Sequence, residues 1–167
     1  MKPRHSSTRL KRGNPFLRER VHDPLQTHGS RKRSARCPDC GAQFRNGRWE
    51  WPQAPAVGLK PERCPACLRI EEDYPAGELV LSGGFLQAHR DEILATVKHV
   101  EERERGDHPL NRIMAIDEHE GAIVISTTDV HLPHRIAHAL RNAWDGATKT
   151  HYDPAGYFTR VQWVRED

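Results

Sequence analysis

Four cysteines fall in two pairs, Cys37-Pro38-Asp39-Cys40 and Cys64-Pro65-Ala66-Cys67, with 23 residues between the pairs. Two residues between cysteines let both thiolates reach one ion, while nearby backbone N–H groups can bond the sulfurs. Gly41 permits the tight turn after the first pair. Four thiolates at about 2.3 Å around Zn²⁺ make a closed tetrahedral site, which stabilises a fold and leaves no position for a reactive water. The spacing therefore predicts structural Zn²⁺ on Cys37, Cys40, Cys64 and Cys67. Iron in a rubredoxin-like or cluster site is the next reading. A catalytic dithiol ranks lower, because the pairs are duplicated and have no thioredoxin-like βαβ context. Thiolates survive as ligands in a reducing compartment, so a cytoplasmic protein is expected.

The residues between the pairs carry a second chemistry. Phe44, Trp49 and Trp51 alternate loosely with Arg45, Arg48 and Glu50. A hairpin running off the first pair would display aromatic rings and guanidinium groups, which stack bases and bind phosphates. The competing reading is that Phe44 and one Trp pack as a small core beside the metal. Arg48, Trp49 and Trp51 are the candidates for RNA contact in the body of the chain, and Arg69 could extend the patch.

Upstream lies a cationic arm. Residues 1–36 hold eleven Lys/Arg against Glu19 and Asp23, which makes +9; the net charge of +3 then leaves −6 for residues 37–167. Such an asymmetry points to a polyanion, and Arg9, Lys11, Arg12, Arg18, Arg20, Arg31, Lys32, Arg33 and Arg36 are the candidate phosphate contacts. A merely solubilising tail is the bland alternative.

A third group is weaker. His131, His134 and His138 share helical spacing, but no HExxH motif or carboxylate at ligand spacing accompanies them. A solvated or RNA-facing histidine row is expected. Thr127-Thr128-Asp129 reads as helix capping. No Walker loop, GxSxG, dinucleotide fingerprint or kinase set is present, so no catalytic residue is assigned and no enzyme is expected.

The elements that must position these groups are legible in outline. With 167 residues, 36% hydrophobic and 29% charged, the chain is too polar for one large core. It has no apolar window of membrane-spanning length, and no apolar run follows the basic N-terminus, so neither a transmembrane protein nor a secretory signal is expected. Residues 1–36 lack periodicity and read as a disordered arm, with a small apolar cluster at Phe16, Leu17, Val21 and Leu25. Residues 37–77 read as the metal-held module. Residues 78–111 read as a connecting amphipathic helix, clearest over 85–105, with Leu86, Ile93, Val97 and Val100 on one face. Residues 112–167 read as ββαββ. The strands fall at 112–117, 122–128, 148–152 and 157–164; the helix is capped by Thr128 or Asp129 and buries Ile136, Ala137, Leu140, Ala143 and Trp144. This order predicts an antiparallel sheet with one helix across a face, an α+β fold overall.

The runs CPDCGAQFRNGRW, CPACLRIEEDYPAG, FLQAHRDEIL and TTDVHLPHRIAHAL resemble a group of short bacterial zinc-ribbon proteins of uncharacterised function, over most of residues 22–165. The layout also resembles the N-terminal half of the nonsense-mediated-decay-three adaptors of the archaeal and eukaryotic large ribosomal subunit. Those adaptors have more cysteines and further domains, so nuclear export is not implied. The resemblance implies zinc on the four cysteines, no catalytic residue, and rRNA on a ribosomal subunit as partner, in assembly, hibernation or translation. The alternative expectation is a protein-interaction adaptor, working through the C-terminal unit, or a DNA-binding regulator.

Overall fold

The computed structural model describes Leu25 and residues 34–54, 56–154 and 158–167. Within them lie two sheets and four helices, a mixed α+β arrangement. The arm is outside the described residues apart from Leu25 and residues 34–36. Its candidates Arg9, Lys11, Arg12, Arg18, Arg20, Arg31, Lys32 and Arg33 therefore lie outside them too, as does Tyr157.

The first sheet is small. Its strands β1 (Ala35–Arg36), β2 (Gln43–Arg45), β3 (Arg48–Glu50) and β4 (Lys60–Pro61) lie in the order β3-β2-β1-β4. β1 runs antiparallel to β2 and parallel to β4. Asn46 and Gly47, at φ 50° and 84°, close the β2–β3 hairpin, because a two-residue turn matches strand twist only with both residues left-handed. The hairpin expected after the first cysteine pair is thus present. Pairing begins at Ala35, one residue inside the described end of the segment expected to be an unstructured arm. Helix α1 (Pro65–Glu72) starts at the second cysteine pair, with Pro65 in its first turn and Asp73 in left-handed backbone at its end.

The second sheet comprises β5 (Gly77–Ser82), β6 (Ile113–His119), β7 (Ala122–Thr127), β8 (Ala147–Tyr152) and β9 (Thr159–Val164), in the order β6-β7-β5-β9-β8. All neighbours are antiparallel except β5 and β9. The antiparallel ββαββ sheet expected from the sequence is therefore mixed, and a fifth strand sits at its centre. That strand comes from the segment read as the start of a connecting helix. GELVLS turns Leu79 and Leu81 to the core and Glu78, Val80 and Ser82 to the opposite face. It is short, and both its partners lie far along the chain, so it leaves little local trace.

Helices α2 (Gly84–Ala88), α3 (Arg90–Asp107) and α4 (Leu132–Trp144) cover one face of this sheet. Leu79, Leu81, Ile123, Ile125, Val161 and Trp163 meet Leu86, Ile93, Val97, Ile136 and Leu140 there. The expected apolar stripe of residues 85–105 is buried as read, but the helix breaks at His89 (φ −123°, ψ 27°), whose ring stacks on Phe85 at 4.1 Å. Gly83 holds φ 109° where the C-terminal segment crosses it; a Cβ there would clash with the Arg165 carbonyl. Asp129, one of the two caps expected for α4, accepts the N–H groups of His131 (2.8 Å) and Leu132 (2.9 Å) through Oδ1. Ala143 is exposed rather than in the α4 stripe.

Candidate metal centre

The sulfurs of Cys37, Cys40, Cys64 and Cys67 all lie within 4.8 Å of one another. Cys40 Sγ and Cys64 Sγ are 3.8 Å apart. Metal–sulfur bonds of about 2.3 Å give a tetrahedron with an edge of about 3.8 Å, whereas a disulfide needs about 2.05 Å. All four are free thiols. The donor set fits one tetrahedral metal ion.

Local structure explains how each pair is aimed. After β1 the chain turns back on itself, with Cys37 N–H on the Ala42 carbonyl (2.8 Å) and Gly41 N–H on the Cys37 carbonyl (3.0 Å). The second pair opens α1: Cys64 is the N-cap and its Sγ accepts Cys67 N–H at 3.4 Å. The first turn of a helix favours negative charge, so thiolates are stabilised there. Burial opposes ionisation of Cys37, but backbone N–H groups of Cys64, Cys40 and Asp39 outweigh it and bring the thiol down to about 7. Burial pushes Cys64 and Cys67 upward. A bound cation reverses that penalty by supplying the charge that burial excludes.

The residue that sequence reading missed is Arg112. It stands just before β6, is 5% exposed, and reaches into the cysteine cluster. Its Nη1 donates to Cys67 Sγ (3.4 Å), Nη2 to Cys64 Sγ (3.5 Å) and Nε to the Pro109 carbonyl (2.7 Å). Burial alone would weaken its charge; the facing thiols of Cys67, Cys40 and Cys64 hold it, and its pKa is raised. A buried guanidinium needs an anion nearby. Four thiolates around a divalent ion carry a net −2, whereas two disulfides would be neutral. Arg112 is 45 residues from Cys67, and no spacing rule marks it.

The expected nucleic-acid candidates in the described residues are dispersed in role. Trp49 is half-buried, packs against the cysteine cluster and lies 5.6 Å from Phe44 between ring centroids. Trp51 is half-buried too; its Nε1 donates to the Arg105 carbonyl at the end of α3 (2.6 Å). Arg48 is 78% exposed along its side chain, with Nε 3.5 Å from Glu50. Cross-strand partners share a face, as do residues two apart. The registers Arg36↔Gln43↔Glu50 and Arg45↔Arg48 therefore put Arg36, Arg45 and Arg48 on one face, opposite Ala35, Phe44 and Trp49. Arg69 does not extend that patch: it is buried, with Nη1 on the Tyr74 carbonyl.

The histidine row is not assembled into a site. His131 is exposed, His134 stacks on Tyr152 at 5.7 Å, and His138 faces Asn142 at 3.2 Å. Among the described residues only the four cysteines gather three or more groups able to hold a metal. No helix among them is long and apolar enough to cross a membrane. Compared with family models, with curated proteins and with solved structures, the chain matches none.

Proposed function

We propose that this chain is a cytoplasmic zinc-ribbon protein that binds RNA, with rRNA on a ribosomal subunit as its target, in ribosome assembly, hibernation or translation. The reading rests on one juxtaposition. Arg36, Arg45 and Arg48 share a face of the small sheet, and Arg36 is the last residue of the segment 1–36, whose charge is +9. Guanidinium groups bind phosphates, and a charged arm supplies salt-sensitive affinity and steering. The role of the metal in this reading is stiffness. The segment between the cysteine pairs has too few apolar side chains to hold its own shape, so Zn²⁺ would fix the sheet that carries the arginines. Trp49 and Trp51 would support the surface from behind and beside it.

The test is co-sedimentation of the full chain with ribosomes, beside a chain lacking residues 1–33, which leaves β1 in place, and the triple variant R36A/R45A/R48A. Loss with the deletion is expected, and the triple variant should flatten the dependence of log affinity on log salt by about 2. Crosslinked RNA should form discrete rRNA peaks. Retained sedimentation in both variants at moderate salt would overturn the reading, and pull-down of a protein resistant to RNase would favour an adaptor instead.

A further inference from the structure

We propose that Arg112 is the outer-sphere counter-ion of the metal centre, and that metal loading thereby locks the cysteine module onto the five-stranded sheet. The inference rests on the reading of the four cysteines as a metal site. Three features carry it. First, the guanidinium forks across one sulfur of each of two ligands, Cys64 and Cys67, both on the α1 side of the centre. Second, the residue is rooted at the end of the other sheet, just before β6 and beside the residue that follows β7. Its N–H bonds the Thr128 hydroxyl (3.0 Å), its carbonyl accepts Thr128 N–H (2.9 Å), and the same hydroxyl donates to the Leu110 carbonyl (2.6 Å). Third, its charge has no carboxylate partner among the described residues; its hydrogen-bond acceptors are the sulfurs and the neutral Pro109 carbonyl.

The buried cation and the metal tetrathiolate therefore offset each other in part, one positive charge against two negative. Without the guanidinium, the centre carries an unbalanced double negative charge inside the protein. Without the ion, no tetrahedron holds Cys64 and Cys67 within reach of the fork. Leu110 packs on the same cluster and Trp51 ties the module to α3, so Arg112, with these two, links the cysteine module to the rest of the fold.

The experiment uses the full chain and two variants, R112M and R112K. Zinc content on purification is measured first, then zinc transfer to an excess of chromogenic chelator. The wild type should carry one zinc per chain. R112M should bind about 10–100-fold more weakly, and R112K, which keeps the charge but loses the fork, should recover part of that loss. Hydrogen exchange on the wild type supplies the second measurement and holds even if R112M fails to fold. Stripping zinc should expose the amides of Arg112, Ile113 and Thr128, while those of Leu79 and Val161 stay protected. A zinc-loaded wild type with R112M equally tight, R112K no better than R112M, or unchanged exchange at residues 112, 113 and 128 would each overturn the counter-ion lock alone. A wild type that folds without any metal would overturn the metal reading, and this inference with it.

Discussion

Each cysteine of the candidate metal centre also belongs to a turn, a cap or the first turn of a helix. Cys37→Ser should lower the metal content from about one ion per chain towards none under a chelator, and should loosen residues 37–74; metal analysis beside near-ultraviolet dichroism checks both. A normal spectrum with zinc retained would remove Cys37 from the centre. His134 gives a prediction of a different kind. Burial first, and the neighbouring charge of His131 second, hold its pKa below 6.5. Its Nε2 is buried with no hydrogen-bond partner among the described residues. The folded state thus resists protonation there, so this stabilisation is complete above about pH 6.5, the unfolded value, and is lost as the pH falls through 6.5 towards the folded value. His134→Phe, which keeps an aromatic ring for Tyr152, should therefore show a shallower fall in urea midpoint between pH 7 and 5.5. An identical slope in the two proteins would contradict this. The cysteine spacing was readable because chelation is local chemistry. Arg112 was not, because its role depends on a contact spanning 45 residues.

Among the elements, β5 decides most. It hydrogen-bonds to β7 on one side and β9 on the other, and buries Leu79 and Leu81 completely. Leu79→Ala should cost about 2–5 kcal/mol, as deletions in packed cores do, when measured by urea unfolding. A change below about 0.5 kcal/mol, the scale of an exposed surface site, would mean that residues 77–82 are not the central strand of the sheet. The helices show the opposite balance. The apolar spacing of Ile93, Val97 and Val100 announces α3 directly, and Ile136, Ala137 and Leu140 announce α4. What periodicity does not announce is the break at His89, where the ring stacks on Phe85 and lies beside Trp144 on a helix 50-odd residues away.

On the scale of the molecule, the two sheets draw their stability from different sources. The larger one closes over an extended apolar core of strand and helix side chains. The smaller one has the four thiols, Ala66, and the flanks of Trp49 and Leu110. Chelation should therefore unfold the region around residues 35–61 while leaving the five-stranded sheet intact apart from the entry to β6. Limited proteolysis would show new cuts within residues 35–61 and a resistant fragment from about Tyr74 onward. Loss of the whole far-ultraviolet spectrum at once would contradict that division. Trp51 belongs to this scale too, since its indole N–H crosses from the small sheet to the end of α3. Trp51→Phe should lower the unfolding free energy by about 1 kcal/mol through that one bond.

By itself, the sequence determined whatever is set by neighbours in the chain. It paired the cysteines, placed a hairpin after the first pair, spaced the apolar stripes of α3 and α4, offered Thr128 or Asp129 as a cap, and segregated charge into an arm. Only the tertiary structure decided which strand is central, where the long helix breaks, that Trp51 spans two modules, and that a guanidinium from β6's entry lies against two sulfurs. These depend on long-range pairing and on burial, and neither leaves a period in the sequence that a local reading can detect.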